Sequence, residues 1–301
     1  MKFEALRLPN RSRKLTIIFC ICALLLTGAV FSIRYVSPRA LKRELAHFTK
    51  GGEARTTESA DDTHDKTLRR LCEEGSQAAE PQFDDSDLES NNPKAWKQVD
   101  SGIKRAQRLL PIAKRLVIDS LKSMPENFNL SADQIVQAQK NIQIVNTIVL
   151  DKELGGTAEV KDDDPEVIHI GAGYALYLNT DEETILLLGH ELTHVADFDG
   201  NLRSFVHTVA QIAEDNAGVH PGRSQRADLT CDFIGEQVVK RYIRLHPTKE
   251  TVSVRFSHAL DYNCGYNIDD SDDEHMSQDD TLKALLVLDS ELGSLILSPA
   301  R

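Results

Sequence analysis

No stripe of basic residues with interleaved aromatics runs through this chain, no C-x-x-C pair occurs and no segment repeats. Each absence closes a class. Binding a phosphate backbone needs a basic face, and a formal net charge of −12 at pH 7 argues against nucleic acid as a partner. The cysteines are wrongly spaced for a disulfide-stapled module. Cys20 and Cys22 sit in an apolar run, and the spacings of 159 and 33 residues between Cys72, Cys231 and Cys264 match no zinc pattern. Those three allow at most one intrachain disulfide, so buried thiols or a single bridge are expected. Long apolar runs are also scarce, with one exception.

That exception is Leu15 to Ile33, 19 residues without a charge, flanked by Arg13-Lys14 and by Arg34. As a helix it spans a bilayer core. It is long for a signal-peptide core, and Thr27-Gly28-Ala29 imitates an A-x-A cleavage site poorly, so residues 15–33 are expected to stay in the membrane. Lys2, Arg7, Arg11, Arg13 and Lys14 on one side are matched by Arg34, Arg39, Lys42, Arg43 and Lys50 on the other. The orientation expected is then that of a short tail before a large domain: N-terminus cytoplasmic, domain extracytoplasmic. The chain divides into a basic tail (1–14), a transmembrane anchor (15–34), a flexible acidic linker (35–91) and a folded domain (92–301). With 41% hydrophobic residues overall, that domain can bury a sizeable core.

Asn92-Pro93 is a helix start, and an amphipathic helix is expected over Trp96–Leu121, kinked or divided at Pro111. Ser131 to Gln134 resembles a capping box opening a helix to about Lys140. Alternating, Ile- and Val-rich segments predict strands over Ile142–Leu150 and Val167–Leu178, joined by a turn-rich stretch. Thr180 to Glu183 is a second capping box and begins a largely buried helix to about Ala196. Further helices are expected over Leu202–Glu214, Ser224–Leu245 and Asp280–Leu297, with a Gly/Pro break at 218–222 between the first two. The fold class is α+β, mainly helical with a small β-sheet.

Within the capped helix lies His190-Glu191-Leu192-Thr193-His194. Histidines four apart on a helix differ by about 400° of rotation, so both rings face one way. Glu191 lies beside them, placed to reach a metal-bound water as general base. Burying two imidazoles and a carboxylate on one apolar helix is costly without a metal to hold them. Zinc bound in this way needs a third protein ligand. The metzincin pattern would put a histidine six residues after His194, but Gly200 stands there. The best candidate is Asp228, with Asp232 four residues on, so that one carboxylate binds zinc and the other accepts the outer N–H of a ligating histidine. Ala227, Leu229, Cys231, Phe233 and Ile234 make this helix too apolar to be freely exposed.

These elements together resemble the HtpX-like and CAAX-prenyl-protease-like zinc metallopeptidases of the gluzincin clan. The order is shared: a strand ending in glycine and apolar residues (Ile168 to Leu178), an acidic helix start (Thr180 to Glu183), H-E-x-x-H, and a later helix reading S-x-x-x-E-x-x-x-D-x-x-G. Ser224, Asp228, Asp232 and Gly235 occupy the four positions of that helix. Asp228 replaces the family's glutamate and is one methylene shorter, so zinc would demand a closer approach of the two helices. Glu236 is the fallback ligand. The resemblance also implies a late histidine supporting the oxyanion, carried over to His275 in Asp273-Glu274-His275-Met276, with Met276 where the family has proline. His258, Tyr262 and Tyr266 are rivals for that role. His169 lies on a predicted edge strand, the kind that pairs with extended substrate in this group, where Gly171 to Gly173 would give close backbone access.

The function expected is that of a membrane-anchored zinc-dependent metalloendopeptidase. It would carry one Zn2+ per chain, held by His190, His194 and Asp228, with Glu191 and His275 as catalytic residues. A single span cannot build the intramembrane chamber of the prenyl-protease relatives, so soluble or membrane-surface polypeptides are the expected substrates. The alternatives are a non-catalytic, zinc-stabilised membrane-tethered scaffold and hydrolysis of a non-peptide bond.

Overall fold

The computed structural model describes residues 92–260, 273 and 275–297, all within one compact unit. The tail, the apolar run, the linker, Cys72, Tyr262, Cys264 and Tyr266 lie outside the described residues, as does the side chain of His258. Among the described residues no helix is long and apolar enough to cross a membrane.

Asn92 caps the first helix, its Oδ1 accepting from the Ala95 N–H at 3.1 Å, and α1 runs Pro93–Lys122. Pro111 does not divide it. A proline frees the carbonyl four residues back, and here both Pro111 and Gln107 are exposed, so water can satisfy the freed group. On the opposite face Leu109, Leu110, Ala113, Leu116 and Val117 are buried, each contributing to a core that keeps the helix whole.

After a single 3-10 turn at Glu126–Phe128, the Ser131–Gln134 capping box closes reciprocally and opens α2, Ala132–Ile144. The helix therefore takes in Ile142, which the alternating pattern had assigned to a strand. Ala138 and Ile142 are both fully buried and four residues apart, so the helical period decides that face. Strand β1 follows at Thr147–Asp151, then β2 at Ala158–Glu159 and β3 at Val167–Gly171. The sheet order is β1-β3-β2, with β1 parallel and β2 antiparallel to β3.

Two expectations about this sheet are corrected. His169 lies on the middle strand, not on an edge. The second strand ends at Gly171 and the chain turns into α3, Ala172–Tyr177, instead of continuing to Leu178. The physical reason is the Gly155 turn. Its carbonyl accepts from the N–H groups of Gly173 (3.0 Å) and Tyr174 (3.3 Å), and a Cβ on Gly171 would lie 2.1 Å from the same oxygen. The backbone at Gly171–Gly173 is thus approached by the chain's own loop, which takes the space foreseen for substrate.

Thr180 and Glu183 complete the second capping box and start α4, Asp181–Ala196. Its first turn is tied on three sides. Asp181 accepts from Arg108 of α1 at 2.6 Å, and at 3.0 Å from the hydroxyl of Tyr242, which lies on α6 (Arg223–Leu245). Glu182 accepts at 2.6 Å from buried Arg255, whose helix α7 (Val252–Leu260) the sequence pattern did not foretell. Helix α5, Arg203–Ala217, precedes α6. The terminal helix expected as one piece is two, α8 (Gln278–Leu288) and α9 (Leu292–Leu297). Asp289 breaks it because its carboxylate turns inward to pair with buried Lys240 and to accept from Gln237 Nε2 at 2.9 Å.

Helix α4 packs most extensively on α6, and two glycines set how closely. A Cβ on Gly189 would lie 3.0 Å from Gly235 Cα, and one on Gly235 would lie 3.2 Å from the Leu186 carbonyl oxygen. Gly189→Ala is expected to lower stability by about 1–3 kcal/mol, read as a lower urea midpoint at unchanged slope. An unchanged midpoint would show that the two helices can part without cost.

Candidate metal centre

The close approach of α4 and α6 brings donor atoms of both helices to one place. His190 and His194 sit one turn apart on α4 with their Nε2 atoms 3.1 Å from each other. Asp228 Oδ1, from α6, lies 3.3 Å from His190 Nε2, and Asp232 Oδ1 lies 2.8 Å from His190 Nδ1. Asp232 thereby accepts the outer N–H of His190 and turns its Nε2 toward the cluster. The donor atoms of His190, His194 and Cys231 all lie within 4.8 Å of one another. Cys231 is a free, buried thiol. This cluster can hold a metal ion.

The donor spacing fits such an ion. Nitrogen or oxygen ligands about 2.0–2.1 Å from a tetrahedral centre lie about 3.3 Å from one another. The 3.1 and 3.3 Å separations around His190 Nε2 are of that size. Two groups compete to be the third protein donor. Cys231 lies within 4.8 Å of both histidines, and Asp228 Oδ1 lies 3.3 Å from His190 Nε2 alone, so either side chain can supply the third protein donor. Nitrogen, oxygen and sulfur donors together suit several first-row ions.

The electrostatics have the same cause, burial of charge. Burial works against a charged His190, yet hydrogen bonds to Asp228 and Asp232 outweigh it and hold its pKa well above the usual histidine value. Without a metal, the protonated His190 ring bridges the two aspartates, its Nδ1–H facing Asp232 and its Nε2–H facing Asp228. His194 is driven the other way, down to about 4, by burial and by the neighbouring positive His190, so it stays neutral and able to ligate. Burial pushes Glu191 up to about 7, and the negative charges of Asp228 and Glu159 push the same way. Asp232 is likewise raised by burial and by Asp228.

Other residues singled out by the sequence fall at different distances from this cluster. His275 Nε2 lies 3.9 Å from Asp228 Oδ1, and its backbone carbonyl accepts from Gln225 Nε2 at 3.2 Å. Glu236 is committed elsewhere: its buried carboxylate faces Lys240 Nζ at 3.3 Å, one turn along α6. It belongs to an ion pair and does not serve as the fallback ligand. His169 Nδ1 lies 3.1 Å from Asp151 Oδ2, which also accepts from Lys161 at 2.8 Å, so this histidine is part of a polar network on the sheet.

Three participants escaped the sequence reading. Cys231 follows Asp228 by three residues and so shares its helical face, a signal legible in the spacing, where a buried thiol or a single bridge is the expectation. Gln225 closes the N-terminus of α6 by accepting from Gly222 N–H at 2.8 Å while holding the His275 segment, a link that spans 50 residues. Glu159 acts on Glu191 from the short strand β2, which no local pattern connects to α4.

No family model, curated protein or solved structure matches the chain.

Two outcomes are expected. Asp232→Asn should weaken metal binding by about 10–100-fold in a competition titration against a chromophoric chelator, because the His190 ring loses its orienting acceptor; equal affinity would mean that packing alone orients the ring. The second concerns pH. Glu191 titrates at about 7 in the folded chain and at 4.5 in an unfolded one, so its burial costs little while it is protonated and lowers stability as pH rises through that window. In metal-free protein, Glu191→Gln should melt above wild type at about pH 8, with the difference closing below about pH 4.5. A difference independent of pH would refute the shift.

Proposed function

We propose that this chain is a membrane-anchored, zinc-dependent metalloendopeptidase resembling the HtpX-like and CAAX-prenyl-protease-like enzymes. The observation that carries the reading is the pair of spacings around His190 Nε2, 3.1 Å to His194 Nε2 and 3.3 Å to Asp228 Oδ1, beside a buried carboxyl, Glu191, that titrates at about 7. A carboxyl with that value can both take and return a proton near neutrality, which a general base that later acts as acid must do.

In this reading His190, His194 and Asp228 hold one zinc ion, and Asp232 fixes the ring of His190. When bound, zinc supplies polarisation of the scissile carbonyl and lowers the pKa of water in its open position. Glu191 takes the proton of the attacking water and delivers it to the leaving amine nitrogen. His275, 3.9 Å from Asp228, donates to the developing oxyanion. The shorter Asp228 reaches where a glutamate would in the resembling enzymes because Gly189 and Gly235 let the helices close together. The apolar run 15–33 tethers the domain outside the cytoplasm, where polypeptides in solution or on the membrane surface are within reach.

Glu191→Gln should lower peptide turnover by about 10²–10⁴-fold while leaving one zinc per chain, measured with a peptide library and by metal analysis. Asp228→Ala should lose the zinc itself. Hydrolysis retained in Glu191→Gln refutes the assigned base. A zinc-loaded wild type inert to the whole library fits the non-catalytic scaffold instead.

A further inference from the structure

The proposed chemistry leaves one donor of the cluster without a task. Cys231 is 3% exposed, and its sulfur lies within 4.8 Å of the ligating nitrogens of both His190 and His194. On α6 it falls about 60° from Asp228 and about 100° from Asp232, so all three share the face that Gly235 presses against α4. A thiol that only packs would be as well served by an apolar group. Beside two imidazoles and a carboxylate it adds a soft donor to an otherwise hard and borderline set.

Resting on the metal reading above, we propose that the Cys231 thiolate is a direct ligand of this centre beside His190, His194 and Asp228, with water entering as a fifth ligand, and makes it an oxidant-labile one, losing its ion when a peroxide oxidises the sulfur. Metal binding removes the thiol proton, and the thiolate then donates to the ion. In the oxidation, a sulfur lone pair attacks one oxygen of hydrogen peroxide. The S–O bond forms as the O–O bond breaks, hydroxide leaves and takes the proton of the new S–OH as water, and sulfur is oxidised by two electrons to sulfenate while the ion keeps its valence. Sulfenate is a poorer donor than thiolate, and the remaining ligands release the ion more readily. The side chains of His190 and Asp232 are 20% and 31% exposed, so solvent and a water-sized oxidant reach the edge of the cluster.

The test uses the full chain loaded with cobalt(II) and, separately, with zinc. Cobalt-loaded wild type should show a sulfur-to-cobalt charge-transfer band in the near ultraviolet, and Cys231→Ser should bind cobalt without that band. From zinc-loaded protein, hydrogen peroxide should release the ion into a chromophoric chelator at least about tenfold faster for wild type than for Cys231→Ser. Cobalt bound by wild type without the band overturns the sulfur ligand while the metal reading stands. Equal release rates overturn the oxidant-labile centre. Failure of wild type to bind cobalt or zinc overturns this proposal and the metal reading together. The wild-type spectrum decides the ligation even if Cys231→Ser does not fold.

Discussion

The contact between Gly189 and Gly235 is the constraint on which the rest of this domain depends. Side chains at either position would hold α4 and α6 apart, and the distances from His190 to Asp228 and Asp232 cross that seam. His190 and His194 come from one helix, Asp228, Cys231 and Asp232 from the other. A separation of one methyl group would take Asp228 out of ligand spacing. The short Asp228 side chain meets His190 because the two backbones nearly touch at the glycines.

The surroundings act to hold that seam in register. The first turn of α4 carries Asp181, Glu182 and Glu183, which complement the helix dipole and are fastened to α1, α6, α7 and the cap residue. At the far end of α6, Lys240 gathers Glu236 and Asp289 into a buried ionic group that draws in the α8–α9 junction. Such a group specifies position more than it adds stability, because removing three charges from water offsets most of their attraction. Thr193 shows the same economy on a smaller scale, its buried hydroxyl donating to the Gly189 carbonyl at 2.7 Å and leaving no polar atom stranded next to the cluster.

The charge pattern of the site follows from the burial of its titratable groups. Burial drives Glu191 toward its protonated form and His194 toward its neutral form, while two aspartates hold a proton on His190. A divalent ion in place of the Nε2 proton would satisfy Asp228 and the facing nitrogen lone pairs at once, while Asp232 keeps the Nδ1–H. This is the physical reason to read the cluster as a metal centre and not as a hydrogen-bonded core.

The sequence by itself determined the α+β class, the two capping boxes, the extents of α4 and α6 to within two residues, and the helical faces carrying His190, His194, Asp228 and Asp232. These are local matters of period, caps and turn residues. It misjudged Ile142 and the end of β3, where burial of one face or a neighbouring loop overrode local preference, and at Pro111 it left open a division that does not occur. Only the tertiary structure decided that His169 lies on a central strand, that Glu236 belongs to Lys240, that Gln225 holds the His275 segment, and that Cys231 faces the histidines. Each of those depends on which surfaces meet across dozens of residues, and spacing along one element says nothing of what packs against it.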